Sequence, residues 1–479
     1  MKKLLQQLVG ESAIYGISSM LNRFVSIFLV PLYTQLLAPE EYGKLSLVNS
    51  TYYFVTTLAV FAMDSASARW YYDSNSEEHR KPVMATWFWF QLGTSAALAV
   101  LLLLLSPWLS SNLLENPNQY LLFIVPALGL LTAILPNMVT NWLRYQRKAK
   151  HTMVFTICNV LLTVGLNMLL VLGLRWGILG ILVATVASNL LASVYVFFLM
   201  KDWIALRLFS RTLLYDMLKY AYPLVPTAFA FWILNSSSTF VINHYHNKTE
   251  VGLFQMGNML ASAVSMVVGA FQMAWGPFAF SILDKPEAKR VYAWVLIGYT
   301  AIMCTAALAL SLFAREILIL FTQPEYYAAS SVASILGFNS IIYGFAFIGI
   351  IGCNVQKDNK PLAWSVFAAA LVTGILYWIL VPMIGKEGAA LSTCIGYCIV
   401  PIWVFIKSQQ YYPIPFSFGI TGLFIVFALG IAYIGSGWCE NSWNTSFFIQ
   451  KIGLLLAYIV VVATVVFYQI KQQRITERI

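Results

Sequence analysis

Residues 41–49 read EYGKLSLVN and residues 250–258 read EVGLFQMGN, two stretches 209 positions apart that share Glu, Gly and Asn in register. Two further pairs keep nearly the same separation: QRKAK at 146–150 with QKDNK at 356–360, and GILGILVAT at 177–185 with GKEGAALST at 385–393. Each match is short. Three in collinear order at offsets of 209, 210 and 208 point to one unit written twice.

Hydropathy says what the unit is. The chain has 479 residues, 60% hydrophobic and 10% charged, with a mean hydropathy of +0.75. A water-soluble fold of this length has no way to hide so much apolar surface. Apolar runs of about 20 residues, the length of one bilayer-crossing helix, recur from end to end. They lack the alternation of barrel strands. Fourteen spans are predicted, centred near residues 25, 54, 95, 130, 163, 188, 232, 263, 303, 340, 373, 397, 424 and 460. Met1-Lys2-Lys3 leads into a full-length span with no short apolar core and small-residue cleavage site, so it reads as a first helix rather than a removed signal.

The repeat offset covers six spans, an even number, so both copies share one orientation. Parallel repeats of this kind are related by an axis along the membrane normal, and transporters built from them hold substrate between the halves. The expected fold is an all-α polytopic membrane protein with 14 transmembrane helices, arranged as two parallel six-helix lobes plus two appended C-terminal helices. The predicted divisions are residues 1–200 for the first lobe, 201–219 for a linker, 220–412 for the second lobe, and 413–479 for spans thirteen and fourteen with a tail. The linker mixes Trp203, Leu206, Leu213 and Met217 with Lys201, Arg207, Arg211 and Lys219, the pattern of a basic amphipathic helix on a membrane surface. YYPIP at 411–415 marks the break before the appended spans.

Lys and Arg set the orientation. With both termini inside, the inner segments hold 22 of them and the outer segments 6, namely Lys44, Arg175, Lys248, Arg315, Lys386 and Lys451. This asymmetry predicts cytoplasmic termini. It also accounts for the net charge of +10 through anionic membrane lipids rather than nucleic acid.

The remaining cation is Arg23, inside the apolar stretch ISSMLNRFVSIFLVPLYTQLLAPEEYG at 17–43. A charge at bilayer depth costs about 2.5–3.5 kcal/mol on insertion scales. On a helical wheel Ser12, Tyr15, Gly16, Ser19, Asn22, Arg23, Ser26 and Tyr33 fall within about 120°, with Val30 the one apolar intruder. Arg23 therefore belongs to a polar stripe, which predicts a hydrated cavity in the first lobe. Three partners stay open for it: the carboxylate of Asp64, lipid phosphate reached by snorkelling, or an anionic substrate whose oxygens fit the guanidinium fork. Arg69 and Arg144, each adjoining an inner span end, are candidates for the cavity rim. Trp87, Trp89, Trp232 and Trp275 are candidates for stacking on sugars, against helix packing and interfacial belts as the plainer explanation. The repeat offset sets Trp232 opposite Arg23.

Absences narrow the field. The sequence has no phosphate loop of the form G-x-x-x-x-G-K-[ST], no H-E-x-x-H and no D-x-D, and it implies no cofactor, no metal site and no enzyme activity. His244 and His246 share an outer loop without further ligands.

Four stretches carry a family resemblance. VPLYTQLLAPEEYGKLSL (30–47), ARWYYDSNSEEHRK (68–81), MLKYAYPLVPTAF (217–229) and EVGLFQMGNML (250–260) together resemble the bacterial polysaccharide transporters, the oligosaccharide-lipid flippases of the multidrug/oligosaccharidyl-lipid/polysaccharide (MOP) exporter superfamily. The resemblance implies a MATE-like fold and a substrate of undecaprenyl-diphosphate-linked oligosaccharide moved from the inner to the outer leaflet by alternating access. It implies membrane lipids and a polysaccharide polymerase of the same pathway as partners. Arg23 matches the first-span cation with which several such flippases line their cavity. With it, Arg69, Arg144, Asn22, Tyr15 and Trp232 are the predicted substrate-binding residues, and Asp64, which can titrate, is the candidate for ion coupling. Many members carry an Asp-Arg pair in span seven where this chain reads Ser238-Thr239, and span eleven has no carboxylate for a sodium site. The competing readings are a multidrug or cation exporter on the same fold, a lipid II-type flippase, and a membrane glycan polymerase.

Overall fold

A computed structural model describes residues 30–74, 76–356, 358, 360–436 and 443–476, with side chains described from 33 to 471. The described residues are helical almost throughout and contain no strand. The labelled helices begin with α1 (Pro39–Val60), α2 (Met63–Tyr71), α3 (Glu77–Leu113), α4 (Leu121–Thr132), α5 (Ile134–Tyr145), α6 (Ala149–Asn167) and α7 (Gly177–Met200). They continue with α8 (Arg211–Ala221), α9 (Val225–Ser236), α10 (Ser238–Tyr245), α11 (Lys248–Ser281), α12 (Ala288–Phe321) and α13 (Ser330–Gly349). The last are α14 (Lys360–Tyr411), α15 (Phe418–Ser436) and α16 (Thr445–Thr476).

Twelve helical stretches among the described residues are long and apolar enough to cross a membrane. One of them, α14, has 52 residues, far more than the roughly 20 that a crossing needs. It turns at Ile384 and Gly385, where Gly385 has φ 57 and ψ −133, a conformation open to glycine. It therefore supplies two predicted spans, eleven and twelve. The first predicted span lies largely outside the described residues.

The described residues cluster into two compact units, one comprising 36–252 and the other 30–35 with 253–476. In the first unit several crossings are broken. α1 stops at Phe61 and Ala62, both left-handed at φ 50 and 54, before α2 resumes. Neither residue is glycine, so the break stores strain of order 1–3 kcal/mol per residue. Thr94 Oγ1 donates to the Ala59 carbonyl at 2.9 Å beside it. The crossing at 117–145 is divided at Ala133, and Ser193 Oγ donates to the Thr132 carbonyl at 2.6 Å. Each break thus finds a hydroxyl for a backbone acceptor, which a backbone in lipid needs.

The linker forms a turn, then α8. Ser210 caps α8 by accepting from the Leu213 N–H at 3.3 Å. Met217 and Ala221 are buried in the core formed by α2, α3 and α5. Leu206 points outward at 63% exposure, so the apolar face predicted for 201–219 is split between protein and surroundings.

The repeat's paired glycines meet. A Cβ on Gly43 would overlap the Lys248 carbonyl, and a Cβ on Gly252 would overlap the Pro39 carbonyl. The ends of α1 and α11 thus cross backbone to backbone, each copy contributing the same residue of its repeat. Gly43→Ala or Gly252→Ala is expected to destabilise the protein by about 1–3 kcal/mol, the usual cost of overpacking. Gly269→Ala, in α11 where a Cβ meets nothing within 4 Å, is the control. Melting of the detergent-solubilised variants, followed by size-exclusion fluorescence, checks the contrast.

Of the six cations that the charge count assigns to outer segments, four pair with carboxylates. Lys44 meets Glu40 at 2.8 Å, Lys248 meets Glu115 at 2.9 Å, Lys386 meets Glu387 at 3.4 Å and Lys451 meets Glu316 at 2.6 Å. All four lysine side chains are at most 15% exposed. These lysines are therefore structural charges, neutralised in place.

Candidate functional site

Arg23, Asn22 and Tyr15 lie outside the described residues. The other charged residues singled out from sequence as site candidates, and Trp232, fall into two groups within the first unit.

The first group sits where α2 meets the end of α5. Tyr145, last residue of α5, donates its hydroxyl to the Asp64 carbonyl at 3.1 Å and lies 3.1 Å from Ser67 Oγ. Tyr72 OH donates to the Tyr145 carbonyl at 3.2 Å. These bonds hold Asp64 and Arg69, on α2, and Arg144, on α5, at one end of the unit. The side chains of Asp64, Arg69 and Arg144 are exposed there, and Arg69 forms an ion pair with Asp73 one turn on. An exposed i,i+4 pair is worth only about 0.3–0.5 kcal/mol, so Arg69 can exchange this partner for a better anion.

Behind this rim lies a layer of rings and cations that the sequence reading did not assemble. Tyr71 stacks near Trp203 at 6.5 Å, and Trp203 meets Trp142 edge-on at 5.3 Å. The Arg80 guanidinium covers the Tyr71 ring at 4.7 Å while its Nε donates to the carbonyls of Tyr71 and Ser74 at 3.2 and 2.9 Å. Lys81 and Lys148 lie over Trp203 and Trp142 at 5.7 and 5.8 Å. The signal in sequence is faint: Lys81 lies 122 positions from its ring, while Arg80 and Lys148 lie nine and six from theirs, and no spacing joins the three pairs.

The second group surrounds Trp232 on α9. Its ring meets Phe54 of α1 at 4.8 Å and Phe240 of α10 at 5.9 Å, and its Nε1 donates to the Ser50 carbonyl at 3.4 Å. Ser50 Oγ lies 3.4 Å from Thr239 Oγ1. Ser238 and Thr239 are 2% and 3% exposed. α9 and α10 thus pack on α1 through rings and hydroxyls, with no charge in this contact among the described residues. Trp232 stays half-exposed. The other tryptophans considered for sugars are packed: Trp87 is 2% exposed, Trp89 Nε1 donates to the Ile204 carbonyl at 3.0 Å, and Trp275, 5% exposed, donates to the Phe347 carbonyl at 2.9 Å.

Comparison with known proteins adds a family and a fold. Residues 32–323 match the family model described as "Polysaccharide biosynthesis protein". Among solved structures, the lipid II flippase MurJ in an inward closed conformation aligns with a TM-score of 0.73 at 15% identity, covering 96% of this chain and 99% of that one. An inward-facing multidrug resistance MATE family transporter of the MOP superfamily aligns with a TM-score of 0.64 at 18% identity, over 81% of this chain and 94% of that one. A mutant of the Vibrio cholerae MATE transporter VcmN aligns with a TM-score of 0.56 at 14% identity, over 85% and 97%. At such identities the likeness is one of fold. No curated protein matches the chain.

Proposed function

The chain belongs to the polysaccharide biosynthesis protein family, with the fold of the MOP transporters, and from that premise we propose that it is a flippase for undecaprenyl-diphosphate-linked oligosaccharide. The observation that carries the reading is the family match over residues 32–323. A fold likeness to a flippase of a lipid-linked substrate supports it. The protein then works as a transporter rather than an enzyme, in the bacterial cytoplasmic membrane, with both termini in the cytoplasm.

In this reading residues 1–200 and 220–412 act as two lobes that rock about the linker at 201–219. Arg23, with Arg69 and Arg144 at the inner rim, receives the diphosphate. Tyr15, Asn22 and Trp232 receive the sugars, and the polyprenyl tail stays in lipid. The cavity must be wet and cationic because sugar hydroxyls and phosphate charges are prohibitively costly in hydrocarbon. Asp64, exposed at the rim, is the group available for proton coupling. A polymerase of the same pathway would take up the product outside.

A diphosphate diester carries two negative charges. Moving both outward down an inside-negative potential releases about 4–5 kcal/mol per 100 mV. Two measurements test the reading. Depleting the protein should accumulate a lipid-linked oligosaccharide on the inner leaflet, identified by mass spectrometry. In proteoliposomes, an imposed potassium-diffusion potential, inside negative, should accelerate its outward movement. No accumulation on depletion would remove the function, and indifference to potential would remove this energy source.

A further inference from the structure

A second amphipathic site lies apart from the residues assigned to transport. α5, α6 and α7 enclose a groove of about 700 Å³. Its lining residues on α6 are His151, Phe155, Asn159 and others at steps of three and four, one face of one helix. From His151 to the far end of that face the groove runs about 16 Å at 1.5 Å per residue. One end is basic, with Lys148, Lys150 and His151, all exposed, around the first turn of α6. The rest is apolar, and no carboxylate lines it.

Three observations identify an occupant. First, the groove opens to the membrane: Val154, Leu191, Tyr195 and Leu199 along it are 61%, 53%, 62% and 44% exposed, as expected only of side chains that meet acyl chains. Second, its basic end combines two lysines with the first-turn N–H groups of α6, a combination that favours a phosphate group. The Lys and Arg count assigns that end to the inner leaflet. Third, two buried polar atoms of the wall, Trp142 Nε1 and Asn159 Oδ1, have no hydrogen-bond partner among the described residues, and Trp142 is only 6% exposed. A buried indole N–H without a partner costs about 1–3 kcal/mol. The ester carbonyl of a diacyl lipid is an acceptor for that indole N–H.

We propose that the groove between α5, α6 and α7 binds an anionic phospholipid of the inner leaflet, with its phosphate at Lys148, Lys150 and His151 and one acyl chain along the α6 face. Basic pockets between transmembrane helices on the cytoplasmic side hold anionic head groups by this chemistry. The bound lipid would brace α6 against α5 and α7, just behind the rim that carries Arg144.

The test uses the full-length protein in detergent, with native mass spectrometry as readout and lipids of matched dioleoyl chains. Phosphatidylglycerol should be retained over phosphatidylcholine. The Lys148→Gln/Lys150→Gln variant should lower that retention about thirtyfold, the scale of two lysines near an anionic surface. Lys285→Gln/Lys360→Gln, exposed lysines elsewhere, should leave it unchanged. Cys158→Trp, which fills the groove from its exposed side, should abolish retention while the protein stays monodisperse. Equal retention of the two lipids, or full retention in the lysine variant, overturns the proposal. Preference for undecaprenyl phosphate over phosphatidylglycerol overturns it too, and assigns the groove to the transport path. Competition by inorganic phosphate alone would show a simple anion site without an acyl component, and likewise overturns it. None of these readouts depends on transport.

Discussion

Arg23→Ala is expected to abolish lipid-linked oligosaccharide transport at normal membrane abundance, and Arg23→Lys to retain a fraction of it. The argument is energetic. An arginine at bilayer depth costs about 2.5–3.5 kcal/mol, so it stands there against a cost that something must offset. The polar stripe that includes Tyr15 and Asn22 gives it a wet face. A guanidinium offers two parallel N–H donors to a phosphate, and hydrogen bonds to a charged partner contribute about 1.5–3 kcal/mol each. Loss of both would slow transport by two orders of magnitude or more. Lysine keeps the charge without the fork, hence its intermediate place. Transport is read in proteoliposomes and abundance by immunoblot. A fully active alanine variant would leave Arg23 a structural residue, whose partner would then be sought at Asp64.

Much of the architecture was legible because lipid enforces it. Apolar length gives the crossings. The repeat placed Gly43 and Gly252 at one register, and the structure sets the two against each other's backbone. What the sequence hid is long-range or locally strained. Nothing at Phe61 and Ala62 announces a break, because neither glycine nor proline marks it. The hydroxyl beside the broken backbone comes from Thr94 on another helix. The cations assigned to outer segments read as six stray charges. Lys44 and Lys386 have carboxylates close by in sequence, but those of Lys248 and Lys451 lie 133 and 135 positions away, where no local pattern reveals them. The candidate site was legible unevenly. Arg69 and Arg144 adjoin span ends and so could be placed at a rim. Their common platform depends on Tyr145 reaching back 81 residues to Asp64, and no spacing predicts that. Trp232 was found by the repeat offset alone, and its packing on Phe54 could not be read from either copy.

The largest effect on stability is expected at Lys451. Its ammonium, fully buried on α16, lies 2.6 Å from Glu316 Oε1 on α12, and Glu316 is 8% exposed. α16 has little else of a polar kind to hold it. Tyr458 OH donates to the Phe424 carbonyl at 3.2 Å, and Phe448 meets Phe313 edge-on at 5.2 Å, while most of the remaining surface faces lipid. Lys451→Met removes the cation and keeps the volume. It leaves a buried carboxylate whose other oxygen, Oε2, already has no partner among the described residues. Breaking a buried pair in this way costs about 3–5 kcal/mol, because the surviving charge has neither water nor counter-ion. Lys451→Met/Glu316→Met should recover most of that loss, since exchanging a whole buried pair for apolar side chains is often neutral. The recovery separates an electrostatic tie from simple packing. If packing alone held α16, the double variant would melt no higher than the single one, and if the pair were dispensable, the single variant would melt like the wild type. Thermal melting in detergent of the wild type, both single variants and the double variant closes the cycle, and the coupling between the two positions measures how firmly α16 is tied to α12.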